Sequence, residues 1–311
     1  MRVYPCLVLI AALTACQKEE AKDKKSEATP ALPPALPSDP QVSPAQQLFI
    51  SNQVQTWDEV GDLGGDVPMI KPELKESFCV NVYRLQLKAN FDDVLAPLCK
   101  DKKPAAVFDK IDRYAGRVGD SPRSVKLALS HGKDGFTSGT YIVAYRVPIA
   151  PKWVRTAKIP KYMVASSEFD YAKLTGSVTE DLTATLGGNL QFGKWRMQAR
   201  MDIKTPDGNS FSNQRLTEMN SFQVEGGNPD IGIGSEHLIE APNPDFKDYR
   251  TATITISNID DSATLITIIT LSIRNNGFPE TAERVFSDIA TSQATQVHNG
   301  LMAEYASGVF N

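Results

Sequence analysis

The sequence predicts an α+β fold: a curved antiparallel sheet packed on a long C-terminal helix, with short helices near the N-terminus. Three observations carry this. From about residue 125 to residue 274, apolar residues recur with period two in segment after segment. Turn residues separate some of these segments, as in Asp260-Asp261-Ser262 and in Pro206-Asp207-Gly208, where Pro presets one torsion and Gly permits a positive one. After Asn275-Asn276-Gly277 the period changes. Ala282, Phe286, Ile289, Gln293, Val297, Leu301 and Tyr305 step by three or four, the longest helical pattern in the chain.

The elements follow in order. Ser43, Pro44 and Gln46 make a helix start, with Ser43 as cap, Pro44 at the first helical position and Gln46 completing a capping box. Ile50, Val54 and Trp57 then share one face, and Gly61, Gly64 and Gly65 end the helix. Val80, Val82, Leu85 and Leu87 mark a strand over 80–89, and residues 90–99 open a short helix. A second helix over 105–115 has Val107, Phe108, Ile111 and Tyr114 on its apolar face. Val125, Leu127 and Leu129 alternate as a strand, as do Tyr141, Val143, Tyr145 and Val147. The clearest strand has Trp195, Met197, Ala199, Met201 and Ile203 on one face and Arg196, Gln198, Arg200 and Asp202 on the other. Ala252, Ile254 and Ile256 alternate with threonines, and residues 263–274 form another Thr/Ile/Leu strand, which predicts a hairpin with one wet face. The last helix begins at Pro279 and Glu280 and runs to about Tyr305, with Gly300 as a candidate break.

The N-terminus has a different character. Arg2 is followed by an apolar run over 7–13 that is too short for a comfortable membrane span, and then by Leu13-Thr14-Ala15-Cys16. The pattern resembles the lipobox of bacterial lipoproteins. That resemblance implies cleavage after residue 15, acyl chains on Cys16, and an effectively permanent anchor, since each buried methylene contributes about 0.8 kcal/mol. Gln17, in place of the Asp that retains such proteins at the inner membrane, points to the outer membrane, with the domain facing the periplasm; Lys18 leaves inner-membrane retention open. Residues 16–42 then read as a tether, charged at first and afterwards rich in Ala and Pro, a composition that cannot bury a core. Residues 43–311 remain as a single globular domain.

Composition narrows the function. The chain has 33 basic and 37 acidic residues; with Arg2 removed the mature balance is 32 − 37 = −5. Basic residues are scattered, so nothing resembles a nucleic-acid footprint. No second apolar run is long enough for a transmembrane helix. Cys6 goes with the signal and Cys16 is acylated, which leaves Cys79 and Cys99. An oxidising compartment favours a disulfide between them; two separately buried thiols are the alternative. No His or third Cys stands at metal-ligand spacing.

Two segments carry a further resemblance. Residues 85–94 are similar to the entry of the START-like helix-grip superfamily, a strand that steps through Asn90, Phe91 and Asp92 into a helix, and residues 275–305 match its terminal helix. The resemblance covers about residues 78–308. Residues 148–190 are longer than a compact member needs, and 43–77 are extra. It implies an interior between sheet and helix that accepts a lipid or other hydrophobic molecule. The wall residues it points to are Phe286, Ile289, Ala290, Gln293 and Val297 on the helix, with Trp195, Met197 and Met201 on the sheet. An apolar stripe at this spacing equally fits plain core. Gln293 stands out, because a polar group on an inward stripe needs a partner.

No catalytic motif appears. The three histidines are His131, His237 and His298, and no zinc-protease, nucleophile-elbow or phosphate-loop pattern surrounds them. Gly232-Ile233-Gly234 lacks the context of a nucleotide loop. Asp230, Glu236, His237 and Glu240 read best as a solvated Gly-rich loop, His131 as a turn residue beside Gly132 and Gly135, and His298 as a residue near a helix end. Three readings stay open: a non-catalytic module for a hydrophobic ligand, without a cofactor; an interaction lipoprotein with a filled core that binds another envelope protein; or an enzyme whose site is not visible in a single sequence.

Overall fold

The computed structural model describes residues 56–57, 69–76, 104–156, 159–165, 167–168, 172–182, 191–204, 210–223, 230–240, 246–274 and 279–310. All of them belong to the unit Val42–Asn311. The signal peptide and tether, Cys16, Cys79, Cys99, the expected strand over 80–89, the helix over 90–99 and the glycine stop at 61–65 lie outside the described residues. So do the turns at 206–208 and 275–277.

The architecture is α+β, with a large antiparallel sheet packed against a C-terminal helix. α1 (Pro104–Tyr114) precedes a hairpin of β1 (Arg123–His131) and β2 (Phe136–Val147). Two short helices, α2 (Pro151–Thr156) and α3 (Ile159–Met163), carry the chain to the far edge of the sheet. There β3 (Ser167–Glu168), β4 (Ala172–Asp181), β5 (Gln191–Lys204), β6 (Ser210–Gln223), β7 (Ile231–Glu240), β8 (Phe246–Ser257) and β9 (Ala263–Arg274) follow. The sheet order is β1-β2-β9-β8-β7-β6-β5-β4-β3, and every neighbouring pair is antiparallel. The run from β3 to β9 is therefore a meander, and β9 returns to pair along the whole of β2. α4 (Pro279–Ala306) closes the chain and packs chiefly on β1, β2, β9 and α3.

Local chemistry accounts for the turns. Gly135 takes φ +80° between β1 and β2, a conformation that costs glycine little. Between β8 and β9, Asp260 Oδ1 accepts from the Ser262 amide at 3.1 Å and from its hydroxyl at 2.5 Å, while Asp261 adopts φ +63°.

The sheet has two buried faces. One carries Ile142, Ala144, Ala252, Ile254, Ile256, Ile266 and Ile268 against α1, Ile70 and Leu74. The other carries Tyr141, Val143, Tyr145, Tyr249, Leu265, Ile269, Met197 and Met201 against α4. A cluster of charges ties the first layer together. Asp112 on α1, fully buried, meets Arg146 at 2.5 Å and Lys75 at 2.9 Å and accepts from the backbone amides of Met69 and Ile70.

Several expectations need correction. The β8–β9 hairpin has no wet face, because its Ile face meets α1 and its Thr face turns inward. Thr251, Thr255 and Thr267 are all buried. Residues 231–240 are a strand rather than a solvated loop: Ile231 packs on the α1 side, and Gly232, Gly234 and Glu236 fall on the other parity. A bulge between Lys126 and Ala128 separates Leu129 from Val125, so Val125 and Leu127 pack with α1 while Leu129 packs on the α4 side. α4 runs unbroken through Gly300, where a Cβ would stand 2.4 Å from the Tyr162 ring. That glycine permits close approach of α3 and does not stop the helix. His298 lies two turns inside α4 and is buried against Tyr145. Trp57 sits in a turn after Thr56 bridges to Lys126, and not on a helix.

Candidate functional site

Register aligns the inner face of the sheet in a row that crosses six strands. Tyr141, Ile269, Thr251, Glu236, Met219 and Trp195 pair in succession from β2 to β5. Directly opposed residues share a face, so the row passes from apolar at β2 and β9, through polar at β8 and β7, to apolar again at β6 and β5. The interior is therefore two-toned, with a carboxyl group near its middle.

The eight residues expected to line the interior do come together. Met197 and Met201 on β5 and Phe286, Ile289, Ala290 and Val297 on α4 belong to a single buried cluster, and the half-buried Trp195 packs on its edge. Phe286 is fully enclosed, edge-on to Tyr141 with ring centroids 6.2 Å apart. Gln293, 6 % exposed, points inward from the same helix.

The partner that Gln293 requires is a polar cluster on the sheet. The Tyr249 hydroxyl lies 2.8 Å from Glu236 Oε2 and 2.7 Å from Gln293 Oε1. Gln293 Nε2 donates to Glu236 Oε2 at 3.1 Å, and Thr217 Oγ1 donates to Glu236 Oε1 at 2.7 Å. All four residues are buried. The Tyr249 hydroxyl has one hydrogen and two acceptors within reach, Glu236 Oε2 and Gln293 Oε1, so it donates to one of them at a time. No described cation pairs with Glu236. Asp112, the other deeply buried acid among the described residues, shows the contrast, since Arg146 and Lys75 both neutralise it.

A second feature lies nearer the end of β2. Among the described residues, the buried Tyr145 hydroxyl and His298 Nε2 have no hydrogen-bond partner, and the two rings meet edge to face at 5.5 Å. His298 Nδ1 faces Asn299 Oδ1 at 3.2 Å. With the proton on Nδ1, Nε2 is an acceptor beside an unused phenolic donor. Burial holds the Tyr145 hydroxyl protonated well above the usual phenol range; Tyr141 is held likewise, first by burial and then by Glu283.

Glu236, Tyr249 and Thr217 escaped the sequence reading as a site. The signal was the shared parity of Gly232, Gly234, Glu236 and Leu238, which becomes legible once the segment is known to be a strand. Among the described residues, no group of three or more His, Cys, Asp or Glu side chains could hold a metal ion. No described helix is long and apolar enough to cross a membrane.

No protein-family profile matches the sequence, and neither does any curated protein. Solved structures match the chain at low similarity. TTHA0849 from Thermus thermophilus is 12% identical, with TM-score 0.36, over 54% of this chain and 98% of that one. The human StarD13 (DLC2) lipid transfer and protein localization domain is 10% identical, with TM-score 0.36, over 63% and 94%. Ara h 8.0201 is 8% identical, with TM-score 0.33, over 53% and 99%.

Proposed function

We propose that this chain is a non-catalytic module that binds a hydrophobic small molecule or lipid between its sheet and α4. In this reading acyl chains on Cys16 anchor it in the outer membrane, with the folded unit facing the periplasm. The supporting observation is the composition of the interior. Methionines, which adapt to irregular guests, belong to the same inner layer as Tyr145, whose hydroxyl, like Nε2 of the neighbouring His298, is buried without a hydrogen-bond partner among the described residues. Buried polar groups are nearly always satisfied, so such a pair marks a place where a guest has contacts to make.

A second reading has its own observation. Met197, Phe286 and Ala290 have no exposed surface, which suits a filled core and an interaction lipoprotein that meets another envelope protein through its surface. Native mass spectrometry with organic extraction separates the two. The exported Cys16→Ser protein is collected without detergent. An apolar molecule at near-unit stoichiometry supports the binding module. A clean mass that added lipid vesicles leave unchanged overturns it in favour of the interaction role. The same variant tests the anchor, which requires it to leave the membrane fraction.

A further inference from the structure

We infer that the Glu236–Tyr249–Gln293–Thr217 cluster is the polar end of the binding site, and that it selects an amphiphile whose head group donates hydrogen bonds, best of all a protonated long-chain amine. This rests on the ligand-binding reading above and adds the class of head group to it. Three observations lead here.

The first is charge. Glu236 is buried, and its partners Thr217, Tyr249 and Gln293 are all neutral. A buried carboxylate is costly unless paired, and Asp112, the other buried acid among the described residues, is paired with two cations. An ammonium group would supply the missing charge.

The second is acceptor capacity. Glu236 Oε1 accepts from Thr217 and keeps a second lone pair for a further donor. A head group that brings hydrogens can fill it. A carboxylate head would add acceptors and a like charge.

The third is position. In the inner-face row Glu236 is opposed by Met219 on one side and Thr251 on the other, and Trp195 follows Met219. A guest whose polar atom meets Glu236 therefore has an apolar wall of β6 and β5 for its chain. Gly232 and Gly234, on the same parity of β7 as Glu236, contribute no side chain beside it.

The test compares decylamine, decanol and decanoate, which share a chain length, by calorimetric titration of the detergent-free exported protein at neutral pH. Decylamine is expected to bind at least about tenfold more tightly than decanoate, the scale of one hydrogen bond to a charged group, with decanol between them. Glu236→Gln should remove the preference for the amine, whereas Tyr249→Phe, which keeps the carboxyl, should retain it. Equal binding of all three, or a preference for decanoate, overturns the head-group assignment and leaves ligand binding standing. Binding of none of them, together with a clean native mass, overturns both. The wild-type comparison decides the matter even if a variant fails to fold.

Discussion

Phe286 on α4 lies directly over Gly139 on β2: a Cβ built on the glycine would stand 2.7 Å from the phenylalanine ring and 2.7 Å from that of Tyr141. The contact sets how closely the helix approaches the sheet. Gly139→Ala should force the rings apart and cost about 1–3 kcal/mol, the range for overpacking a tight core. Phe286→Ala should cost about 3–5 kcal/mol by opening a cavity in the same place. Urea denaturation of each variant measures both. A neutral Gly139→Ala would mean that helix and sheet are not in close contact there.

The Asp112 cluster predicts a different pattern. Removing Asp112 leaves Arg146 buried without its carboxylate, while Lys75 keeps Asp109 at 2.8 Å, so Asp112→Ala should cost about 3–5 kcal/mol. Replacing Asp112, Arg146 and Lys75 together by apolar residues of similar volume should recover most of that loss. If the triple variant is no better than the single one, the backbone amides of Met69 and Ile70 are what Asp112 chiefly serves.

Coupling within the inner polar cluster is measurable in a double-mutant cycle. Tyr249→Phe and Gln293→Leu should each destabilise by about 1–3 kcal/mol, because each leaves Glu236 with fewer partners. Their combined effect should depart from additivity by about 0.5–3 kcal/mol. Strict additivity would show that the two side chains do not share one network.

Alkali should unfold the protein through its tyrosines. Tyr145, Tyr141 and Tyr114 are each held protonated chiefly by burial, so their folded pKa values lie above the unfolded value of about 10. The sign follows from linkage. Stability from this source is fully present below about pH 10 and is lost as the pH climbs above it, because the unfolded chain ionises where the folded one resists. Circular dichroism and phenolate absorbance followed together should change in a single step. Ionisation of all tyrosines near pH 10 in a still-folded chain would contradict the burial of these rings.

Oxidation state tests the pairing expected between Cys79 and Cys99. Reduction should lower the melting temperature by removing a constraint of about 3 kcal/mol. An unchanged melting temperature would favour separate thiols.

Most of the α+β layout was legible because its signal is local. Period two in β2, β5 and β8, the Thr/Ile/Leu composition of β9 and the three-to-four step of α4 are visible without knowledge of what each element touches. β7 was hidden, because its inward positions hold two glycines and a glutamate, which read as a loop until β6 and β8 flank them. The inward threonines of β8 were hidden for a related reason. Alternation identifies two faces, but which face meets solvent depends on α1 and α4, both distant in sequence. The candidate site divides in the same way: Gln293 stood out as polar on an apolar stripe, whereas Glu236 and Tyr249 become its partners only through register.

The pairing of β9 with β2 also governs how the chain comes to be folded. Val147 pairs with Ala263 and Phe136 with Arg274, so the hairpin made early must wait for a strand made more than a hundred residues later. Long-range pairings of this kind slow folding and leave edges open while the chain is incomplete. Until that strand arrives, β2 has β1 on one side and an unpaired edge on the other. A truncation before residue 263 would remove the strand that joins the two halves of the sheet, so the sheet can close only once residues 263–274 have been made.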